Sequence, residues 1–246
     1  RGRGSRSATW GEAAGRGRGR GGGRDGGRML GCSVLLTDAP LTLREFMSHE
    51  LLPLATIFRD VLAFLGTRED AVIFGAHAVN AYCEPARMTV DVDVLSTDAA
   101  GLAETLRERL AERFHVAARV REVVPGGFRV YQVRKPKNRH LVDVRQVLEL
   151  PPFRRVESVR VLEPTELVAM KAVAIAARRG QEKGLSDTLD LHRLLRAFPE
   201  LRSEAGPVAE RLRALGADAA ALAAWLEVAR APLDIDDEDG EDDGED

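Results

Sequence analysis

Apolar positions recur at helical intervals from Leu41 onward, with Phe46, Leu51, Leu54, Ile57, Val61, Leu62 and Leu65 along one stripe. Thr42-Leu43-Arg44-Glu45 has capping-box spacing, and Pro53 predicts two helical pieces or a kink. Ala71-Val72-Ile73-Phe74 reads as a short buried strand that stops at Gly75. A short helix over 76–83 follows, ended by Glu84-Pro85. Residues 89–95 then alternate with period two, and 99–113 carry an amphipathic helical pattern.

The next block is strand-rich. Residues 115–124 and 128–134 flank Pro125-Gly126-Gly127, a hairpin signal, and Lys135-Pro136-Lys137-Asn138 turns the chain into a strand over 139–147. After a last short strand at 159–162 the pattern is helical over 165–179, 187–197, 203–214 and 217–230. This order predicts an α+β fold: a small mixed β-sheet domain with flanking helices over 41–163, then a C-terminal helical lobe over 164–232.

Charge divides the chain differently. Of its 246 residues, 1–28 hold eight Arg against Glu12 and Asp25, with 11 of the 23 Gly, while 234–246 hold ten acids and no base. Low hydrophobicity with one-signed charge cannot offset the entropy of ordering, so both ends are expected to be disordered. The Arg/Gly head has the charge of an RNA tether, but Met29 offers a later start, and a head read from upstream of the true start is the simpler expectation. The acidic tail has the charge to mimic nucleic acid or to shield a basic groove. No run approaches the roughly 18 apolar residues that span a bilayer, so no membrane role is expected. Cys32 and Cys83 make neither a disulfide framework nor a zinc set, which fits a cytoplasmic protein. The stretch 29–36 is too short and too soon closed by Asp38-Ala39-Pro40 for a signal peptide.

Candidate chemistry centres on Thr89-Val90-Asp91-Val92-Asp93-Val94. On a strand, Asp91 and Asp93 share one face and the valines the other. Adjacent carboxylates repel unless a cation sits between them, and hard Mg²⁺ takes such oxygens; the simpler alternative is a solvated acidic face. Three neighbours favour the cation. Gly75 stands at a strand-to-helix junction, where backbone N–H groups suit a phosphate. Arg87 and Thr89 add a positive charge and a hydroxyl beside the acids, and Asp143 puts a third carboxylate on the strand 139–147. Three acids on adjacent strands suit two metal ions that clamp the attacking and leaving oxygens of a phosphoryl or nucleotidyl transfer.

The run from Phe74-Gly75-Ala76-His77 to Arg87-Met88-Thr89-Val90-Asp91-Val92-Asp93 resembles the glycine turn and D-x-D signature of the polymerase-β-like nucleotidyltransferase superfamily. Within it, the likeness is to the small prokaryotic branch that includes the abortive-infection toxins. The resemblance implies that Gly75 and Ala76 hold nucleotide phosphates, that Asp91 and Asp93 bind two Mg²⁺ ions, and that Asp143 is the third carboxylate, acting on the incoming hydroxyl. Arg87 and Thr89 then become candidate nucleotide contacts. One departure is visible: the family usually has Gly-Gly or Gly-Ser where this chain has Gly75-Ala76, so a serine hydroxyl is missing.

Farther on, Lys171, Arg178, Asp187 and Asp190 resemble that branch's K…R…D-x-x-D tail, of which Lys171 and Asp190 carry over as nucleotide-binding candidates. From the residues themselves, Lys171 on an apolar helix stripe suits either phosphate contact or pairing with an acid. Asp187 and Asp190, in the expected first turn of a helix capped by Ser186, are also accounted for by the helix dipole.

The resemblance thus implies transfer of a nucleoside monophosphate from an NTP to an acceptor hydroxyl on RNA, such as a tRNA end, on a protein, or on a small molecule. It also implies a possible antitoxin partner. A descendant of the same fold that binds nucleotide or protein without catalysis is the alternative. Other chemistry is absent: the five histidines lack metal-ligand spacing, and neither a P-loop nor G-x-S-x-G occurs. The stretch 217–224 with Leu222 and Trp225 reads as a packed helix rather than a partner site.

Overall fold

A computed structural model describes residues 52–232; the capping box at 42–45, Cys32 and both charged ends lie outside the described residues. Helix α1 (Leu54–Gly66) begins directly after Pro53 and buries Ile57, Phe58, Val61, Leu62 and Leu65. Its buried Asp60 takes the fork of Arg109 at 2.7 and 2.8 Å, which ties α1 to helix α3 (Ala99–Phe114). Between them run β1 (Ala71–Phe74), the short α2 (Gly75–Asn80) and β2 (Val92–Ser96). The Asp98 carboxylate caps α3 by accepting from the Gly101 amide, and Leu102, Leu106 and Leu110 face inward one turn apart.

The remaining strands are β3 (Ala118–Val124), β4 (Gly127–Gln132), β5 (Arg139–Gln146), β6 (Phe153–Val156) and β7 (Val159–Leu162). All seven form one mixed sheet in the order β3-β4-β5-β2-β1-β7-β6. The β2–β5 and β1–β7 pairs are parallel and the others antiparallel. Strands β1 and β7 are buried at every position, as expected of central strands covered on both faces. The helical half follows as α4 (Pro164–Ala177), α5 (Glu182–Ala197), a 3₁₀ turn (Pro199–Arg202), α6 (Pro207–Ala214) and α7 (Ala219–Arg230). Its buried residues join those of the sheet in one continuous hydrophobic cluster from Ile57 to Ala229. Each fully buried Leu, Ile or Val in that cluster contributes roughly 1.5–3 kcal/mol relative to exposure.

The α+β class and the sheet-then-helix order agree with the pattern read from the chain; several boundaries do not. Strand β2 begins at Val92, not at 89, so Asp91 stands in the bend ahead of it. The expected strand at 115 starts at Ala118 because His115 is the left-handed cap of α3, at φ 52°. Strand β6 had no alternating pattern to announce it. Helix α5 begins at Glu182, five residues earlier than expected, so Ser186 does not cap it and Asp187 and Asp190 lie within the helix body. Gly184 lies in the added first turn, where a Cβ would meet the Arg178 carbonyl oxygen at 2.5 Å, so this turn packs against the end of α4 only with glycine there.

Candidate active site

Register across the middle of the sheet aligns Phe74 of β1, Asp93 of β2, Asp143 of β5 and Arg129 of β4 in one row. Residues in one row project to the same face of a sheet, so two carboxylates and a guanidinium meet there. Asp91 joins them from the bend before β2, where its carbonyl oxygen accepts from the Thr89 hydroxyl at 3.2 Å. Gly75 closes the site from the end of β1. Its φ is +69°, and a Cβ on it would lie 2.0 Å from Asp93 Oδ2, so only glycine lets the acid sit against this turn. Ala76, the next residue, is buried in α2.

The acids differ in their company. Burial, then the charge of Asp143, pushes the Asp91 carboxyl above the usual carboxylate range. Burial, then the charge of Asp91, pushes Asp93 up to about 6, with Arg145 and Lys183 opposing. Among the described residues, neither side chain has a hydrogen-bond or ion-pair partner. Asp143, by contrast, is gripped by both arms of Arg129: Nε donates to Oδ1 and Nη2 to Oδ2, each at 2.7 Å. The same guanidinium lies 3.5 Å from His140 Nε2. As arranged, no three His, Cys, Asp or Glu side chains among the described residues form a set that could hold a metal ion.

A second cluster joins the loop ahead of β2 to helices α4 and α5. Lys171 of α4 is buried, and its Nζ donates to Asp187 Oδ1 at 2.8 Å and to Asp190 Oδ2 at 2.6 Å. Arg178 holds the other oxygen of Asp187 at 2.7 Å. Arg87, from the loop ahead of the acid pair, grips Asp190 with Nε and Nη2 at 2.5 and 2.7 Å. Burial pushes Asp190 up, but these two cations outweigh it and hold the carboxyl below its ordinary value. Asn80 clamps the same loop, accepting from the Arg87 amide at 3.0 Å and donating to the Arg87 carbonyl at 2.7 Å. Arg193 then bonds Asn80 Oδ1 and the carbonyls of Cys83 and Pro85.

The structure therefore brings Gly75, Asp91, Asp93 and Asp143 together at the centre of the sheet. It places Arg87, Lys171 and Asp190 in one ion network, with Lys171 and Asp190 buried and Arg87 partly so, and with Thr89 in the connecting loop. Lys171 has the acid pairing that the sequence left open beside phosphate contact. Arg129, Arg145, Asn80 and Arg193 were not singled out from the sequence. For Arg129 the hairpin pattern points to the wrong partner. Counting back from the 135–138 turn, with Tyr131 opposite His140, sets Arg129 against Val142; the register shift after Val130 moves it onto Asp143.

Among solved structures, the Megavirus polyadenylate synthase aligns at a TM-score of 0.50 and 11% identity, over 60% of this chain and 32% of that one. The chain thus spans about a third of that synthase. JHP933 from Helicobacter pylori aligns at a TM-score of 0.45 and 11% identity, over 77% of this chain and 92% of that one. An antigenic nucleotidyltransferase-like protein from Paracoccidioides brasiliensis gives 0.40 and 17%, over 76% and 95%. At such identities the synthase likeness concerns the fold. No curated protein matches the sequence. The family model described as "Nucleotidyl transferase AbiEii toxin, Type IV TA system" matches residues 57–243. That match takes in the glycine turn, the acid pair, Asp143 and the Lys171–Asp190 network, well over half of the chain, and the protein belongs to the AbiEii nucleotidyltransferase toxin family.

Proposed function

We propose that this nucleotidyltransferase moves a nucleoside monophosphate from an NTP to an acceptor hydroxyl in a Mg²⁺-dependent reaction centred on Asp91 and Asp93. One observation carries the reading. Two partly buried carboxylates without a cationic partner among the described residues face a glycine turn that has no room for a Cβ. Such an arrangement is costly for folding, and a bound cation offsets that cost.

The donor set suits a hard divalent ion, since all the candidate ligands are carboxylate oxygens. Asp91 and Asp93 are available to it as they stand; Asp143 is committed to Arg129. With Asp91, Asp93 and Asp143 as ligands, two Mg²⁺ ions would offset the charge on the reacting phosphate and lower the pKa of the acceptor hydroxyl. The protein's own part begins with the triphosphate, which meets backbone amides at Gly75 and Ala76. Lys183 and Arg145, the cations whose fields reach Asp93, draw it in. Asp143 takes the acceptor proton as the hydroxyl oxygen bonds to the α-phosphorus, and the bond to the β-phosphate breaks with pyrophosphate leaving. Arg87, Lys171, Thr89 and Asp190 position the loop that carries Asp91. In this reading Lys171 acts through its two acids, not on a phosphate.

A toxin of a toxin–antitoxin system implies an antitoxin partner for the chain; the acceptor we take to be the hydroxyl of an RNA such as a tRNA end, of a protein, or of a small molecule. The test is label transfer. Full-length protein is incubated with each α-³²P-labelled NTP, cellular RNA and lysate, in Mg²⁺ or in EDTA. Labelled RNA or protein is expected with Mg²⁺ only, and none from an Asp91→Asn/Asp93→Asn variant. Equal labelling by that variant would overturn the assignment.

A further inference from the structure

The third acid of the site already has a cation, and the protein supplies it. Arg129 meets Asp143 with two parallel hydrogen bonds of 2.7 Å, the geometry of a carboxylate fully satisfied on one side. The pair lies in the row that also contains Asp93, so the guanidinium stands beside the acid cluster. The pair is only partly buried, with Arg129 31% and Asp143 17% exposed. Its neighbour across the strand, His140 at 3.5 Å, is no competing acid.

We infer that Arg129 is a stand-in cation that holds Asp143 in the metal-free enzyme and must release it when a divalent ion enters the Asp91–Asp93 site. This rests on the metal reading of that site. Arg129 is then a positioning residue acting through Asp143. In the metal-free state it offsets the mutual repulsion of the three carboxylates, and it sets how readily the site loads. Two effects oppose loading: the ion pair must open before Asp143 can turn, and a second positive charge lies close to the incoming one.

Direct Mn²⁺ binding to the full chain, followed by electron paramagnetic resonance without nucleotide, tests this independently of turnover. Arg129→Gln is expected to bind Mn²⁺ about tenfold more tightly than wild type, the order set by one charge-assisted bidentate pair. Arg129→Lys keeps the charge but not the fork and is expected to fall between the two. In an Asp143→Asn background the Arg129→Gln gain is expected to shrink to the smaller part due to charge alone, because there is no ion pair left to break. General damage lowers metal affinity, so a gain separates this role from a structural one. Unchanged or weaker binding by both Arg129 variants overturns the inference. An equal gain with and without Asp143 also overturns it, since Arg129 would then act only as a distant charge. If wild type binds no Mn²⁺, or Asp91→Asn and Asp93→Asn leave binding intact, the metal reading itself fails and this inference falls with it.

Discussion

At the scale of single residues, Gly75 and Asp93 form one unit. The turn accepts Asp93 only because position 75 lacks a Cβ and tolerates φ +69°. Gly75→Ala forces either backbone strain of about 1–3 kcal/mol or a displaced Asp93. A shift near 1 Å at a reacting centre costs on the order of 10²-fold in rate, and that loss is expected in the label-transfer assay. Asp93 itself should show the opposite balance. Its carboxyl holds a proton up to about pH 6 in the folded chain, against 3.8 in a free side chain. The folded state therefore binds the proton more tightly, and stability falls as pH rises from about 4 to about 6, by up to ~3 kcal/mol. Asp93→Asn removes that loss and the activity together. Thermal melts without metal should give equal midpoints near pH 4, with the variant ahead above pH 6. A gap that stays constant from pH 4 to pH 8 would contradict this.

At the scale of elements, legibility depended on whether a local pattern matched a local structure. Asp93, Asp143 and the turn at Gly75 lie on the elements the local pattern predicts, because strand periodicity and glycine punctuation are encoded within a few residues, whereas Asp91, read as strand, stands in the bend before β2. The start of α5 was not readable in this way, because Gly184 serves a close packing contact that only the folded chain supplies. The partner of Asp143 was obscured for a related reason, a register shift in β4–β5 that breaks simple counting. The same limit applies to Lys171, whose stripe on α4 was visible while its partners depend on how α4 and α5 cross. That crossing now makes a definite claim. Lys171→Met leaves Asp187 and Asp190 buried with one cation fewer, at a cost of about 3–5 kcal/mol. Urea titration should show the midpoint fall accordingly; a midpoint within a few tenths molar of wild type would mean that Arg87 and Arg178 suffice.

At the scale of the whole molecule, the order of strands then helices suggested two lobes, and the buried residues run through both without a break. The Arg87–Asp190–Lys171 network also ties the loop that carries Asp91 to α4 and α5. The sheet and the helices are therefore expected to unfold together. Trp225 is fully buried on α7, so in a Trp10→Phe variant its fluorescence reports the helical half alone. Its melting midpoint should coincide with that of far-ultraviolet circular dichroism. Separate midpoints would make the helical half an independent domain.

Asp91 and Asp93 are expected to bind the metal that serves nucleotide transfer. The most direct measurement is anomalous scattering from Mn²⁺ in crystals grown with a non-hydrolysable NTP analogue. The expected result is manganese bonded to both carboxylates, with the analogue's phosphates against Gly75. Manganese elsewhere, or an analogue bound away from the glycine turn, would contradict the assignment.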